Sequence, residues 1–274
     1  MERRLKEILE EVRREGGRVT ALTGAGISAE SGIPTFRGSE GYWVVGSRHY
    51  VPQEMATLAM FRRAPEEVWR WYLYRFGVCA RAEPNAGHRA LAALDHALGE
   101  RFHLVTQNID GLHLRAGATP SRTSHIHGDA GQVRCAEACF PGTLSMPDIG
   151  VRDAKAPLSA REVELLSCPR CGSWLRPHVL WFDEYYDEEH YRMQTALRAA
   201  ASANLLLVVG TSGATNLPMQ IGELALGRGI ALVDVNPEDN PFSAMCQESP
   251  RGFFARGRAT ERLPELVKVL LEGP

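Results

Sequence analysis

Four of the six cysteines form two close pairs, Cys135-x3-Cys139 and Cys168-x2-Cys171. Two thiolate pairs at such spacing can complete a closed tetrahedral site around one Zn²⁺. The N-terminus is charged and lacks the apolar core of a secretory signal, which favours a metal over disulfides for paired cysteines. We therefore predict one structural Zn²⁺ on these four cysteines, with a redox dithiol pair as the alternative.

A glycine-rich turn, GAGISA at residues 24–29, follows a short apolar run at residues 19–22. In the G-x-G-x-x-A pattern the glycines let the backbone approach a pyrophosphate, and the following helix offers free N–H groups to it. A strand-to-helix turn without a ligand is the alternative. The second strand and ribose-binding acid of a hydride-transfer dehydrogenase do not follow soon afterwards, which argues against that class of enzyme.

Polar segments stand where three other apolar runs end. They are TQNID at residues 106–110, GTS at 210–212 and NPE at 236–238. Amide side chains can orient a ribose or an amide, and the N–H groups of a glycine turn can surround phosphate. Helix capping and ordinary turns are the alternatives for each segment taken alone.

His127 precedes Gly128 at the border of the cysteine-rich segment. An imidazole that titrates near neutrality suits a general base. His125 is a weaker candidate for the same role, and a structural role is the alternative for any one of the nine histidines.

Apolar runs alternate with amphipathic stretches along most of the chain. Continuous apolar runs are typical of parallel strands buried on both faces, and the alternation predicts an α/β fold with a doubly wound, Rossmann-like parallel sheet. We predict strands at residues 19–22, 102–105, 205–209, 230–235 and 253–255, and helices at 1–14, 85–98, 187–202, 217–227 and 260–272.

Two segments interrupt this alternation. Residues 41–79 look helical, and residues 129–178 contain both cysteine pairs and are rich in Gly, Pro and Ser. We predict that both form a smaller helical and zinc-binding lobe within one catalytic domain over residues 1–274. The large nucleotide-binding lobe would then comprise residues 1–40, 80–128 and 179–274.

In order and spacing, these motifs resemble the sirtuin family. The resemblance rests on GAGIS at 24–28, GIPTFR at 32–37, TQNID at 106–110, HG at 127–128 and the cysteine pairs, and it extends along nearly the whole chain. It implies an NAD-dependent protein-lysine deacylase that consumes NAD as a co-substrate. The products would be nicotinamide, O-acyl-ADP-ribose and free lysine.

The resemblance also assigns roles to residues. It implies that His127 is the general base that takes the proton of a ribose hydroxyl. It also implies that Gln107 and Asn108 bind the nicotinamide ribose. Asn108 would also help to position the attacking group, and Asp110 would support the nicotinamide pocket. The remaining NAD contacts would be Gly24, Ala25, Gly26, Ile27, Ser28, Phe36, Arg37, Ile109, Gly210, Thr211, Ser212, Asn236, Glu238 and Ala259.

Tyr72 and Arg75 share one face of a helix predicted at residues 65–78. This helix resembles the one in sirtuins that accept acidic acyl groups such as succinyl and malonyl, which implies that the two side chains clamp a carboxylate. A solvated arginine on an amphipathic helix is the alternative.

Residues 179–184 resemble the strand that pairs with the substrate peptide, with Trp181 and Phe182 as substrate contacts. Asp183 departs from the pattern, because relatives usually have glycine there. The loop after Ser212 is one residue longer than the common form.

The net charge of −2 gives no general attraction to nucleic acids or acidic membranes, and no apolar run approaches the ~20 residues of a membrane span. We expect a cytoplasmic enzyme that acts on acyl-lysine proteins or peptides, without direct nucleic-acid or membrane binding. A sirtuin-like ADP-ribosyltransferase or NAD hydrolase, and a zinc-stabilised binding module, are the alternatives.

Overall fold

The computed structural model describes residues 2–35, 52–150 and 156–272. The strands in these ranges are β1 Val19–Thr23, β2 Phe102–Thr106, β3 Thr123–His125, β4 Gly128–Cys135, β5 Leu144–Ser145, β6 Leu175–Val179, β7 Leu205–Val209, β8 Ala231–Asn236 and β9 Gly252–Arg256. The helices are α1 Arg3–Arg14, α2 Pro52–Met55, α3 Leu58–Arg63, α4 Pro65–Arg81, α5 Ala86–Leu98, α6 Leu112–Arg115, α7 Ala160–Leu165, α8 Glu188–Tyr191, α9 Met193–Ala201, α10 Asn216–Gly227, α11 Pro241–Glu248 and α12 Ala259–Glu272.

Six parallel strands form the main sheet in the order β3-β2-β1-β7-β8-β9. The chain moves outward from β1 to β3, returns to β7 beside β1, and then moves outward in the other direction. This reversal creates a crevice at the carboxyl ends of β1 and β7, where doubly wound sheets bind ligands. The predicted α/β fold is confirmed.

Apolar side chains cover both faces of this sheet. Helices α1, α5 and α12 pack on one face, and α9, α10 and α11 pack on the other. In α1, the buried residues Leu5, Ile8, Leu9 and Val12 form the single stripe that an amphipathic helix presents to a core. The predicted strands lie within β1, β2, β7 and β9, and within β8 except for Ile230, which lies just before that strand.

Two predictions for the main sheet and its helices differ from the structure. The short strand β3 was not expected, because three residues carry too little apolar pattern to mark a strand. The single helix predicted at residues 187–202 is wrong, since Arg192 adopts φ 50° and separates α8 from α9. The Arg192 guanidinium donates to the carbonyls of Thr123 at 2.7 Å and Ser121 at 3.0 Å, so this break fixes β3.

A second apolar core joins α3 and α4 to an antiparallel sheet of order β5-β4-β6. Trp69 of α4 is fully buried in it and donates its indole N–H to the Leu175 carbonyl at 2.8 Å. Helical and cysteine-rich segments that are far apart in sequence therefore share one core. None of the helices described by the structure is both long and apolar enough to cross a membrane.

Candidate active site

The register of the main sheet aligns the ends of its central strands. Thr23 of β1 pairs with Thr106 of β2 and with Val209 of β7, and Val209 pairs with Val235 of β8. Each strand is followed directly by a segment that the sequence marked as polar or glycine-rich. The predicted nucleotide-binding segments therefore meet along one edge of the sheet.

The loops after β1 and β7 lie back to back at the crevice. The Gly26 N–H donates to the Gly210 carbonyl at 2.8 Å, and the Gly24 N–H donates to the Val209 carbonyl at 2.9 Å. A Cβ on Gly210 would lie 2.5 Å from the backbone nitrogen of Ile27, and one on Gly26 would lie 2.7 Å from the Gly210 Cα. The glycines are thus required by the close contact between the two loops.

Ser28 is the centre of a buried polar network below the crevice. The Asn85 N–H donates to His88 Nδ1, so Nε2 of this imidazole carries the proton that reaches Ser28 Oγ at 3.3 Å. Ser28 in turn donates to Asp110 Oδ2 at 2.7 Å. Burial lowers the pKa of His88 to about 4 and raises the pKa of Asp110 from its usual value.

Asn108 is held in the same network by both hydrogens of its amide. They reach the Gly24 carbonyl at 3.0 Å and Ser28 Oγ at 3.2 Å. The side-chain oxygen of Asn108 is the polar atom that remains for a ligand. The side chain is 7 % exposed, so its orientation is fixed before any ligand arrives.

Gln107 is fixed by both ends of its amide. Its Nε2 donates to Thr211 Oγ1 at 2.8 Å and to the Thr23 carbonyl at 3.3 Å, while its Oε1 accepts from Thr215 at 3.1 Å. The side chain bridges the ends of β1, β2 and β7. Thr215 was not singled out in the sequence, because threonine after a glycine turn has no distinctive signal.

His127 lies directly beside these amides. Its Nδ1 is 3.0 Å from the Gln107 carbonyl, which can only accept, so Nδ1 carries the proton and Nε2 is the basic atom. Burial lowers the pKa of His127 to about 4. The neutral form that a general base needs is therefore the resting form at neutral pH.

The other predicted nucleotide contacts lie at the same edge or next to it. Asn236 donates to the Thr211 carbonyl at 2.9 Å, Glu238 and Ser212 are exposed, and Ala259 begins α12. Ala25 and Ile27 belong to the 3-10 helix Ala25–Ser31, and Ile109 packs against the second core. Phe36 and Arg37 lie outside the described residues.

The four paired cysteines converge beside β4. Their sulfur atoms all lie within 4.8 Å of one another, with Cys135 to Cys171 at 3.6 Å and Cys139 to Cys168 at 3.5 Å. A disulfide would need about 2.05 Å. The four cysteines are therefore free thiols in this structure, and their convergence is consistent with a zinc site.

Tyr72 and Arg75 lie on the buried face of α4, and they are 3 % and 6 % exposed. Tyr72 Oη accepts a hydrogen bond from Trp181 Nε1 at 2.8 Å, and the Arg75 guanidinium lies 4.0 Å from the centre of the Trp71 ring. The sequence-based expectation that the two share a face is confirmed. The contact of Tyr72 with Trp181 connects α4 to the segment that follows β6.

Residues 181–184 form a turn, so the strand expected over residues 179–184 is wrong beyond Val179. Glu184 causes the turn: its carboxylate accepts from Trp181 N at 3.1 Å and from Arg176 Nη2 at 2.7 Å. Phe182 is left 60 % exposed.

Asp183, which departs from the common pattern, contacts the start of α3. Its carboxylate accepts from the backbone N–H groups of Leu58 at 2.7 Å and Ala59 at 3.0 Å, and so caps α3. The side chain that replaces the usual glycine therefore ties the turn to the helical part of the second core.

A model of the Sir2 family matches residues 24–216. The chain belongs to the Sir2 family. An NAD-dependent protein deacylase of Leptospira interrogans serovar copenhageni is 37 % identical over 98 % of this chain and 100 % of its own length. The NAD-dependent protein deacylase of Mycobacterium tuberculosis H37Rv is 41 % identical over 92 % of this chain and all of its own.

Solved Sir2 structures share the fold. A Sir2 homologue in complex with NAD superposes with a TM-score of 0.77 at 33 % identity, covering 98 % of this chain and 94 % of the other. A Sir2 protein with a deacetylated p53 peptide and 3′-O-acetyl-ADP-ribose superposes with a TM-score of 0.76 at 25 % identity, covering 98 % of each chain.

Proposed function

We propose that this Sir2-family protein is an NAD-dependent protein-lysine deacylase that yields nicotinamide, O-acyl-ADP-ribose and free lysine. The observation that carries the proposal is the neutral, tautomer-fixed His127 beside the amides of Gln107 and Asn108. Its curated relatives, named as NAD-dependent protein deacylases over nearly the full length of the chain, support the same reaction.

His127 is the general base in this proposal, and its Nε2 takes the proton of a ribose hydroxyl. Asn108 binds the nicotinamide ribose through its side-chain oxygen, and Gln107 binds the same ribose. Asp110 supports the nicotinamide pocket through Ser28 and the Leu112 N–H. The loops at Gly24–Gly26 and Gly210–Ser212 bind the phosphates, and Phe36, Arg37, Asn236, Glu238 and Ala259 complete the NAD contacts.

Cys135, Cys139, Cys168 and Cys171 are proposed to bind one structural Zn²⁺. Thiolates at 2.3 Å around a tetrahedral metal are about 3.8 Å apart, close to the 3.5 and 3.6 Å between paired sulfurs here. All four positions around such an ion are filled by protein, so the ion would stabilise the second core without taking part in deacylation.

The reaction is tested by incubating the protein with NAD and matched acetyl-lysine and succinyl-lysine peptides, followed by mass spectrometry. We expect loss of the acyl group together with release of nicotinamide. His127→Ala should lower the rate at least about 100-fold, while His96→Ala, at an exposed position on α5, should leave it unchanged. NAD cleavage without deacylation would instead identify a transferase or hydrolase.

The pH profile of kcat/KM tests the state of the base. Because the pKa of His127 is about 4, its basic form predominates above about pH 5. We expect no loss of activity from this group between pH 8 and pH 5.5. An acid limb with its midpoint near 6.5 that disappears in His127→Gln would contradict the buried, neutral base.

We further propose that Tyr72 and Arg75 bind the distal carboxylate of a succinyl or malonyl chain. Trp181 occupies a lone pair of Tyr72 Oη, so the phenol proton remains to be donated. Burial keeps the pKa of Tyr72 far above neutrality, so the phenol retains this proton. The adjacent guanidinium supplies the charge that a carboxylate needs in a buried site.

Comparison of two arginines on α4 tests this preference. Arg75→Met should lower kcat/KM for succinyl-lysine about 10- to 100-fold and leave acetyl-lysine nearly unchanged, because charge-assisted hydrogen bonds are lost. Arg70→Met removes a half-buried arginine paired with Glu67 at 2.8 Å and should change neither substrate. Equal succinyl turnover in wild type and Arg75→Met would refute the clamp.

A further inference from the structure

The segment after Asp183 and the loop after Ser212, both next to departures from the common sirtuin pattern, meet beside His127 and Gln107. Tyr186, from the segment after β6, places its Oη 2.9 Å from His127 Nε2. Thr215, from the lengthened loop after β7, donates to Gln107 Oε1 at 3.1 Å. Gln107 in turn supplies the carbonyl that fixes His127 Nδ1, so the four residues form one hydrogen-bonded group.

The positions of the protons in this group follow from its acceptors. His127 Nδ1 donates to a carbonyl, so Nε2 of the neutral ring can only accept, and the Tyr186 hydroxyl must donate to it. Burial raises the pKa of Tyr186 to about 12, so the phenol keeps its proton. The lone pair that a base would use is thus already occupied by Tyr186.

Thr215 is the next polar side chain beside the same phenol. The Gln107 amide is oriented by donation from Nε2 to Thr211 Oγ1 at 2.8 Å, which turns Oε1 toward Thr215. The Thr215 hydroxyl donates its proton to Gln107 Oε1, and its oxygen retains lone pairs that can accept a hydrogen bond. A hydrogen-bonding interaction with the Thr215 side chain lowers the pKa of Tyr186 against the larger, opposite effect of burial, so Thr215 lies beside this phenol.

We propose that Tyr186 is a positioning residue whose hydroxyl holds His127 Nε2 in the free enzyme and turns to Thr215 Oγ1 when a ribose hydroxyl takes its place. The inference rests on the proposed role of His127 as base. In the proton-transfer step the ribose O–H bond breaks and an Nε2–H bond forms on His127, while Tyr186 retains its own proton. The exchange leaves no buried donor without an acceptor, so it opens the base without a large energetic cost.

A double-mutant cycle separates this role from simple packing. Thr215→Val removes the alternative acceptor, and it should raise KM for NAD about fivefold more in the presence of Tyr186 than in Tyr186→Phe. The loss of the Thr215–Gln107 bond is common to both backgrounds and cancels. Equal effects of Thr215→Val in the two backgrounds would overturn the proposal.

A spectroscopic measurement tests the free enzyme directly. The protein is labelled with ¹⁵N-histidine and measured at pH 7.5. Tyr186→Phe should move the His127 Nε2 resonance toward the chemical shift of an unprotonated imidazole nitrogen that accepts no hydrogen bond, while Nδ1 stays protonated. Thermal melting identifies any variant that fails to fold. An Nε2 shift unchanged by Tyr186→Phe overturns the inference and leaves deacylation intact, whereas full activity in His127→Ala removes the proposed function itself.

Discussion

The two sides of the active-site cleft are held in place by different forces. On the sheet side, the loops after β1 and β7 are fixed by backbone hydrogen bonds and by glycines at van der Waals contact. On the opposite side, the turn at residues 181–184 has backbone hydrogen bonds as well, but charged side chains anchor it to its neighbours, with Glu184 on Arg176 and Asp183 on the start of α3. Close packing tolerates no added atom, whereas ionic and capping contacts can be removed one at a time with graded effects.

The largest effect should come from the cysteine cluster, because Cys135 and Cys168 lie in the same core as Trp181 of this turn. Structural zinc contributes on the order of 10 kcal/mol to small metal-dependent folds. We expect Cys168→Ser to abolish zinc binding, measured by mass spectrometry of the metal, and to lower the melting temperature sharply. Cys79→Ala, which changes a buried cysteine outside the cluster, should keep one zinc per chain.

Close packing on the sheet side predicts the next largest effect. Gly210→Ala places a Cβ 2.5 Å from the Ile27 nitrogen and requires φ +59°, so we expect it to lower the free energy of unfolding by more than about 3 kcal/mol. Gly229→Ala is the matched control, since its φ of +65° is similar and no atom lies within 4 Å. Chemical denaturation should show the control losing only about 1 kcal/mol.

Glu184→Gln should have a smaller effect on the opposite side. It leaves the buried Arg176 without its full counter-charge, and we expect a loss of about 2 to 3 kcal/mol together with a weaker affinity for peptide. Glu83→Gln breaks an exposed pair with Arg115 and should cost less than about 1 kcal/mol. If both variants melt alike, Glu184 does not fix the turn.

The smallest effect should come from Asp183→Gly, the change toward the common pattern. Loss of the cap on α3 should lower the free energy of unfolding by about 1 kcal/mol, and Asp183→Asn should recover part of it. Thermal melting of the three proteins measures the difference. Unchanged stability in Asp183→Gly would show that the cap contributes nothing.

The sequence predicted the sheet side more fully than the opposite side. Buried parallel strands have continuous apolar runs and end in recognisable turns, so the sheet strands other than β3, and the edge residues Gly24, Asn108 and Gly210, could be located in advance. The turn at residues 181–184 could not, because an apolar run such as VLWF also predicts a strand. The strand ends early because of contacts made in the folded chain, among them those of Glu184 with Arg176 and with the Trp181 N–H.

By itself, the sequence determined the alternation of strands and helices, the glycine loops, the four-cysteine set and the family. These features depend on local pattern and spacing, which one chain displays directly. The tertiary structure alone decided which tautomer His127 adopts, that Tyr186 reaches it, that Thr215 binds Gln107, and that Asp183 caps α3. Each of these depends on the distance between side chains that are far apart in sequence, and a hydrogen bond changes strength over less than one ångström.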